Sequence, residues 1–202
     1  MMTIIASMPI FTSDRERRLW LWTLVVLAAI YSTLGPAATL VAYLRERNLL
    51  RVSSTVILLI VIGVIVWQWV KRRPSLSEIG VALGIAAVYL MAWIRIPIPE
   101  ERTHLIEYSI VAILIYQALS ERQRNGRKVP APAALAVGIT ALLGLVDETI
   151  QTILPNRVFD IIDVGFNAGA GLMAILGIIA LAWARRRGDQ ILRTSGLLPR
   201  KD

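Results

Sequence analysis

Cysteine is absent from this chain of 202 residues. That removes disulfides, cysteine-ligated zinc and thiol catalysis together. Histidine occurs once, at His104. No long polar segment interrupts the sequence, so there is no material for a second, soluble domain. The apolar runs are continuous rather than alternating, which excludes a membrane β-barrel. No basic stripe with interleaved aromatics occurs, so the net charge of +8 does not signal a nucleic-acid partner. A charge-first secretory signal is also missing: MMTIIASMPIFTSDRERR places its short apolar stretch before the charges. The run after Arg18 therefore reads as an uncleaved first span. Internal repeats and low-complexity segments are not evident.

What is present is strongly apolar: 56% hydrophobic residues and a mean hydropathy of +0.62. The expectation is an all-α, polytopic transmembrane helical bundle forming a single integral membrane domain over residues 1–202. Runs long enough to cross a hydrocarbon core number about six. They are Leu19 to Leu44, Val52 to Val70, Leu76 to Ile94, His104 to Leu119, Ala133 to Leu154 and Asp160 to Ala184. Gly35-Pro36 predicts a kink or an early exit in the first. The prolines of RIPIPEERT end the third and hold the link extended. The fourth is short, so a re-entrant pair competes with two full crossings.

Lysine and arginine set the orientation. If every run crosses, one face carries sixteen of them, in Arg15 to Arg18, Lys71 to Arg73, Arg122 to Lys128 and the tail from Arg185. The other carries six: Arg45, Arg47, Arg51, Arg95, Arg102 and Arg157. The bias predicts both termini in the cytoplasm, with 185–202 a basic cytoplasmic tail.

Three polar segments then meet on the outer side. One brings Glu100, Glu101, His104 and Glu107. Another brings Asp147, Glu148 and Gln151. The last brings Arg157, Asp160, Asp163 and Asn167. Seven of the chain's fourteen acids lie here. Asp160, Asp163 and Asn167, spaced three and four apart, share a helix face. Thr140, Gly144, Asp147 and Gln151 form a stripe, and Gly144, Glu148 and Gln151 an overlapping one. Asp147 and Glu148 point about 100° apart, so at most one faces the cup squarely. Measured from Leu154, Glu148 lies about 9 Å below the helix end. A charge at mid-span costs roughly 2.5–3.5 kcal/mol, less near the interface, and must be offset by pairing, water or protonation.

Blander readings stand beside these. Asp160 or Asp163 can cap a helix N-terminus. Glu100, Glu101 and Arg102 can be a solvated loop, His104 an interfacial residue, and Arg157 a neutraliser of the nearby aspartates. Gly165, Ala168, Gly169 and Gly171 predict a small packing face. Gly80 and Gly84 read as intramolecular packing more readily than as a dimer seam. The tryptophans lie near span ends, as an aromatic belt does.

In order, the motifs are His104-x-x-Glu107-Tyr108, then Gly144-x-x-Asp147-Glu148-x-x-Gln151. Last comes Pro155-x-Arg157-x-x-Asp160-x-x-Asp163-x-x-x-Asn167-x-Gly169-x-Gly171. The set resembles the VanZ-like family over about residues 95–184. That family contains bacterial membrane proteins, and its namesake is linked to teicoplanin resistance. The resemblance implies a multi-pass protein of the bacterial cytoplasmic membrane with a cell-envelope role. It would carry His104, Glu107, Glu148, Gln151, Arg157, Asp160, Asp163 and Asn167 as functional positions.

The leading expectation is a protein that binds or modifies a polar or lipid-linked envelope ligand, such as a cell-wall precursor, at the outer leaflet. His104, Glu107, Asp147, Glu148 and Gln151 are the candidate catalytic set, with Glu148 and Glu107 as acid and base. Arg157, Asp160, Asp163 and Asn167 are candidate ligand-binding residues, Arg157 for a phosphate or carboxylate. The acidic cup is also a candidate for a divalent cation. The competitors are a non-catalytic assembly or scaffold protein and a proton- or cation-coupled transporter.

Overall fold

The computed structural model describes residues 10–47, 49, 56, 63, 66–67, 71, 74–96, 99–154 and 159–194. Among them are five long helices: α1 (Asp14–Glu46), α2 (Leu76–Arg95), α3 (Pro99–Arg124), α4 (Pro132–Gln151) and α5 (Ile161–Thr194). No strand occurs among the described residues. Stretches of α2, α3, α4 and α5 are long and apolar enough to cross a membrane. The run from Val52 to Val70 lies almost wholly outside the described residues.

Helix ends depart from the apolar runs in informative ways. α1 continues through Gly35-Pro36 to Glu46 and makes no early exit. α3 is longer than its apolar run at both ends. Pro99 starts it, where proline's missing N–H costs nothing, so Glu100, Glu101 and Arg102 are helical rather than loop. At 26 residues it spans about 39 Å, and its stretch Arg102–Arg124 is long and apolar enough to cross a membrane. α4 stops at Gln151, three residues before the apolar run does. α5 runs past Ala184, through Arg185 to Arg187, as far as Thr194.

The chain forms two compact units. The first comprises Met1–Tyr31 with Ile98–Ile175. Here α1, α3, α4 and α5 pack around Leu27, Ile30, Val111, Ala112, Ile115, Ala136 and Ile175, all buried. Gly171 lets α5 approach closely: a Cβ there would lie 3.1 Å from Thr140 Cγ2 and 3.2 Å from Ala112 Cβ. Gly165 and Gly169 meet nothing within 4 Å, so they are not part of the packed face. The helical turn explains this, since Gly169 points about 200° away from Gly171. The buried face of α5 is Asn167, Ala170, Gly171 and Ala174, at spacings of three, one and three.

One end of this unit is tied by polar contacts. Ser13 Oγ accepts from the Glu16 N–H at 3.0 Å, capping α1. The fully buried Glu16 carboxylate accepts from the Thr12 N–H and hydroxyl, each at 2.7 Å. It also pairs with Arg122 Nη1 at 3.0 Å, at the far end of α3. Ser13 and Arg15 reach Glu121 at 3.2 and 3.3 Å. α1 and α3 are therefore antiparallel.

The second unit comprises Ser32–Pro97 with Leu176–Asp202. α2 begins with a full capping box: Ser75 Oγ accepts from the Glu78 N–H, and Glu78 accepts from the Ser75 N–H at 2.9 Å. Ser77 donates to the Ala184 carbonyl at 3.0 Å. A Cβ on Gly188 would fall 2.8 Å from Ser75 Cβ, so glycine is what lets α5 pass this cap. Gly80 and Gly84 have nothing within 4 Å, and no residue of α2 is buried. The intramolecular packing expected of that glycine pair is not present among the described residues.

Candidate functional site

The first unit gathers its polar residues at the end opposite the Glu16–Arg122 pair. α3 enters with His104 and Glu107, α4 leaves with Asp147, Glu148 and Gln151, and α5 begins with Asp163 and Asn167. His104 Nδ1 lies 3.3 Å from Asp147 Oδ2, joining α3 to α4. The separation suits an ion pair, but the atoms are not aligned for a hydrogen bond. Asp147 is wholly buried, and neither of its carboxylate oxygens has a well-aligned hydrogen-bond partner, although the His104 imidazole and the Tyr108 hydroxyl are beside it. Glu107, half-buried one turn along from His104, adds a further carboxyl to the same neighbourhood.

Asn167 forms the α5 wall. It is 1% exposed, and both its amide oxygen and its amide nitrogen lack partners. It sits directly against Gly144: a Cβ there would lie 2.8 Å from Asn167 Cβ and 2.9 Å from Asn167 Nδ2. Gly144 is one turn below Asp147 on the same face, so Asn167 and Asp147 belong to one buried polar cluster on that side of α4.

Two tyrosines make the floor. Tyr31 and Tyr108 both donate to the Leu143 carbonyl, at 3.1 and 3.4 Å. Leu143 is one turn before Asp147, which places both hydroxyls within electrostatic reach of that carboxylate. Tyr108 also stacks on His104, with ring centroids 5.9 Å apart and planes 14° from parallel. Ser109 donates to the Leu105 carbonyl at 2.6 Å and the Ala170 carbonyl at 3.3 Å, holding α3 to α5.

The rim is better satisfied. Glu148 accepts from Gln151 Nε2 at 3.1 Å and from the Asp160 N–H at 3.2 Å. Asp160 Oδ1 accepts from the Ile162 N–H at 2.8 Å, so this side chain caps α5. Asp163 is half-buried beside Glu148 and His104.

Most of the residues expected in the site do converge, with altered roles. Asp147 and Glu148 are both buried, although they point about 100° apart. Asp147 faces α3, 3.3 Å from His104, while Glu148 faces the residue before α5. Because α4 ends at Gln151, Glu148 lies only about 4.5 Å from the helix end, half the depth expected. Its carboxylate ties the last turn of α4 to Asp160, the residue before α5. Asp160 is exposed and engaged as a cap. Arg157 and the side chains of Glu100 and Glu101 lie outside the described residues. No three of the described histidine, aspartate and glutamate side chains converge as metal ligands.

Tyr31 was not legible as part of the site. It lies inside the first apolar run, in a stretch that hydropathy alone treats as lipid-facing. The signal that points to it is that a tyrosine deep in a span must place its hydroxyl on some acceptor.

Fold and site together define a multi-pass helical membrane protein with a buried polar cluster at one end of a packed helical unit. The family model VanZ/LLP1 matches residues 21–183, which is most of the chain, and the protein belongs to this VanZ-like family. The match extends upstream of the 95–184 segment that carries the motifs and takes in Tyr31. Comparison with curated proteins and with solved structures yields no match.

Proposed function

We propose that this protein is a cell-envelope component whose buried polar cluster around Asp147 and Asn167 forms a hollow that receives the polar part of an envelope ligand, carried on a lipid or presented at the outer leaflet. One observation carries the reading. Asp147 and Asn167 are buried without well-aligned hydrogen-bond partners beside His104. Buried groups left so are costly, about 1–3 kcal/mol each, and are retained where something else is to bind them. The bacterial cytoplasmic membrane, with both termini inside, is the setting that the distribution of lysine and arginine supports. A contribution to glycopeptide resistance fits the family.

A transporter fits less well. Below the tyrosine floor, the described interior of the first unit is the apolar set Leu27, Ile30, Val111, Ala112, Ile115 and Ile175. The Thr140 hydroxyl there is engaged with its own helix, donating to the Ala136 carbonyl at 2.8 Å.

Two measurements test the proposal. Single cysteines at Glu101, Arg157 and Arg124 can be probed from outside with an impermeant thiol reagent, with no native cysteine to mask. The first two should label and the third should not; labelling of Arg124→Cys alone would invert the topology. Asp147→Asn and Asn167→Ala, at unchanged membrane abundance, should reduce teicoplanin tolerance to that of cells carrying an empty vector. Full tolerance in both variants would remove the hollow from the function.

A further inference from the structure

Resting on the reading of the hollow as a ligand site, we infer that the group it takes is a primary ammonium, as in an ethanolamine headgroup. Its unpartnered buried atoms are unequal in kind. Asp147 Oδ1, Asp147 Oδ2 and Asn167 Oδ1 are acceptors, and Asn167 Nδ2 is the one obligate donor. His104 Nδ1 accepts or donates according to tautomer. A hollow short of donors is completed by a group rich in them. An ammonium brings three N–H donors, no acceptor and one positive charge.

Charge points the same way. Glu107, Asp147, Glu148 and Asp163 surround His104 from α3, α4 and α5, and the floor contributes two neutral phenols, Tyr31 and Tyr108. Asp147 is a buried carboxylate whose close partner is the single His104 imidazole at 3.3 Å, among three further acids, and a bound ammonium adds the positive charge and N–H donors that this cluster is short of. Of the acids around it, Glu107 and Asp163 are the half-buried ones, so the less buried surroundings are acidic as well. The leftover donor, Asn167 Nδ2, suits an acceptor next to the ammonium, such as the phosphate oxygen of a headgroup. A quaternary ammonium carries the charge without the N–H groups and would leave all three acceptors unpaired.

The test uses the purified full-length protein in detergent. Its thermal unfolding midpoint is followed against short-chain phosphatidylethanolamine, the matching phosphatidylcholine, and free ethanolamine. A ligand that binds only the folded state raises the midpoint with concentration. Phosphatidylethanolamine should act at about tenfold lower concentration than phosphatidylcholine, a difference of about 1.4 kcal/mol. Stabilisation by free ethanolamine as well would identify a small amine as sufficient; stabilisation by the lipid alone would identify the headgroup. The preference should vanish in Asp147→Asn and persist in Asp189→Asn, an exposed acid of the second unit. Equal effects of the two lipids on the unaltered protein would overturn the inference whether or not the variant folds. So would a preference that survives Asp147→Asn. Because this readout is binding, it separates from the tolerance assay: loss of tolerance in the hollow variants with no lipid preference would retire the ammonium and leave the hollow.

Discussion

Gly144→Ala should be among the most damaging single-methyl changes in this protein, lowering stability by about 1–3 kcal/mol, the usual cost of overpacking. The added Cβ would fall 2.8 Å from Asn167 Cβ, which is closer than carbon atoms approach, and 2.9 Å from Asn167 Nδ2. Asn167 is buried and cannot swing away, so α4 and α5 would have to separate. Such a separation would open the hollow, so ligand response should fail along with stability. Gly171→Ala meets Thr140 and Ala112 at 3.1–3.4 Å and should cost less. Gly165→Ala and Gly169→Ala meet nothing within 4 Å, and alanine favours helix over glycine by roughly 0.8–1.0 kcal/mol. Those two should be neutral or stabilising. Thermal unfolding of the four variants checks the order, and an equal loss in all four would contradict the packing described.

Glu16→Ala should cost roughly 2–3 kcal/mol. The carboxylate is fully buried and accepts two hydrogen bonds from Thr12 besides its pair with Arg122. Hydrogen bonds to charged groups contribute about 1.5–3 kcal/mol each. The Arg122 side chain is 35% exposed, so water screens that part and the lower range applies. Arg122→Gln should be milder, because Glu16 keeps both Thr12 donors. The site also has a pH signature. Burial pushes the Glu16 carboxyl up, but the Thr12 side-chain and backbone hydrogen bonds and the Arg122 charge outweigh it and hold it below its ordinary value. A depressed value means the folded state keeps its charge longer than the unfolded chain does. The stabilisation is thus present above the ordinary carboxylate range and drains away as pH falls through it toward the lowered value. Glu16→Gln should flatten that acid limb of the stability profile. An unchanged limb would show that Glu16 does not carry it.

These two residues also show what hydropathy reads well and what it misses. The apolar runs located four of the described helices to within a few residues of their apolar portions. They missed the charged turns at Pro99 to Arg102 and Arg185 to Thr194, because a helix leaving the bilayer is free to continue in water. The polar cluster was legible through its acids, since carboxylates inside apolar runs are costly enough to stand out. Tyr31 was not, because an aromatic ring passes for lipid-facing until its hydroxyl is placed. Nor could the sequence divide Asp147 from Glu148. Only the end of α4 at Gln151 decides that one faces the hollow and the other fastens a turn. Glu16 looked like one more flanking charge, and its value lies in contacts with a helix more than a hundred residues away.

Along α3, His104 and Arg122 are eighteen residues apart, a distance of about 27 Å, close to the roughly 30 Å depth of a bilayer's hydrocarbon. A crossing by α3 would put the hollow and the Glu16 anchorage at opposite water boundaries, joined by one helical rod. A membrane much thicker than this rod would draw one polar end into oil, and a thinner one would strand apolar turns in water. In that setting acyl-chain length would act on the hollow through hydrophobic mismatch.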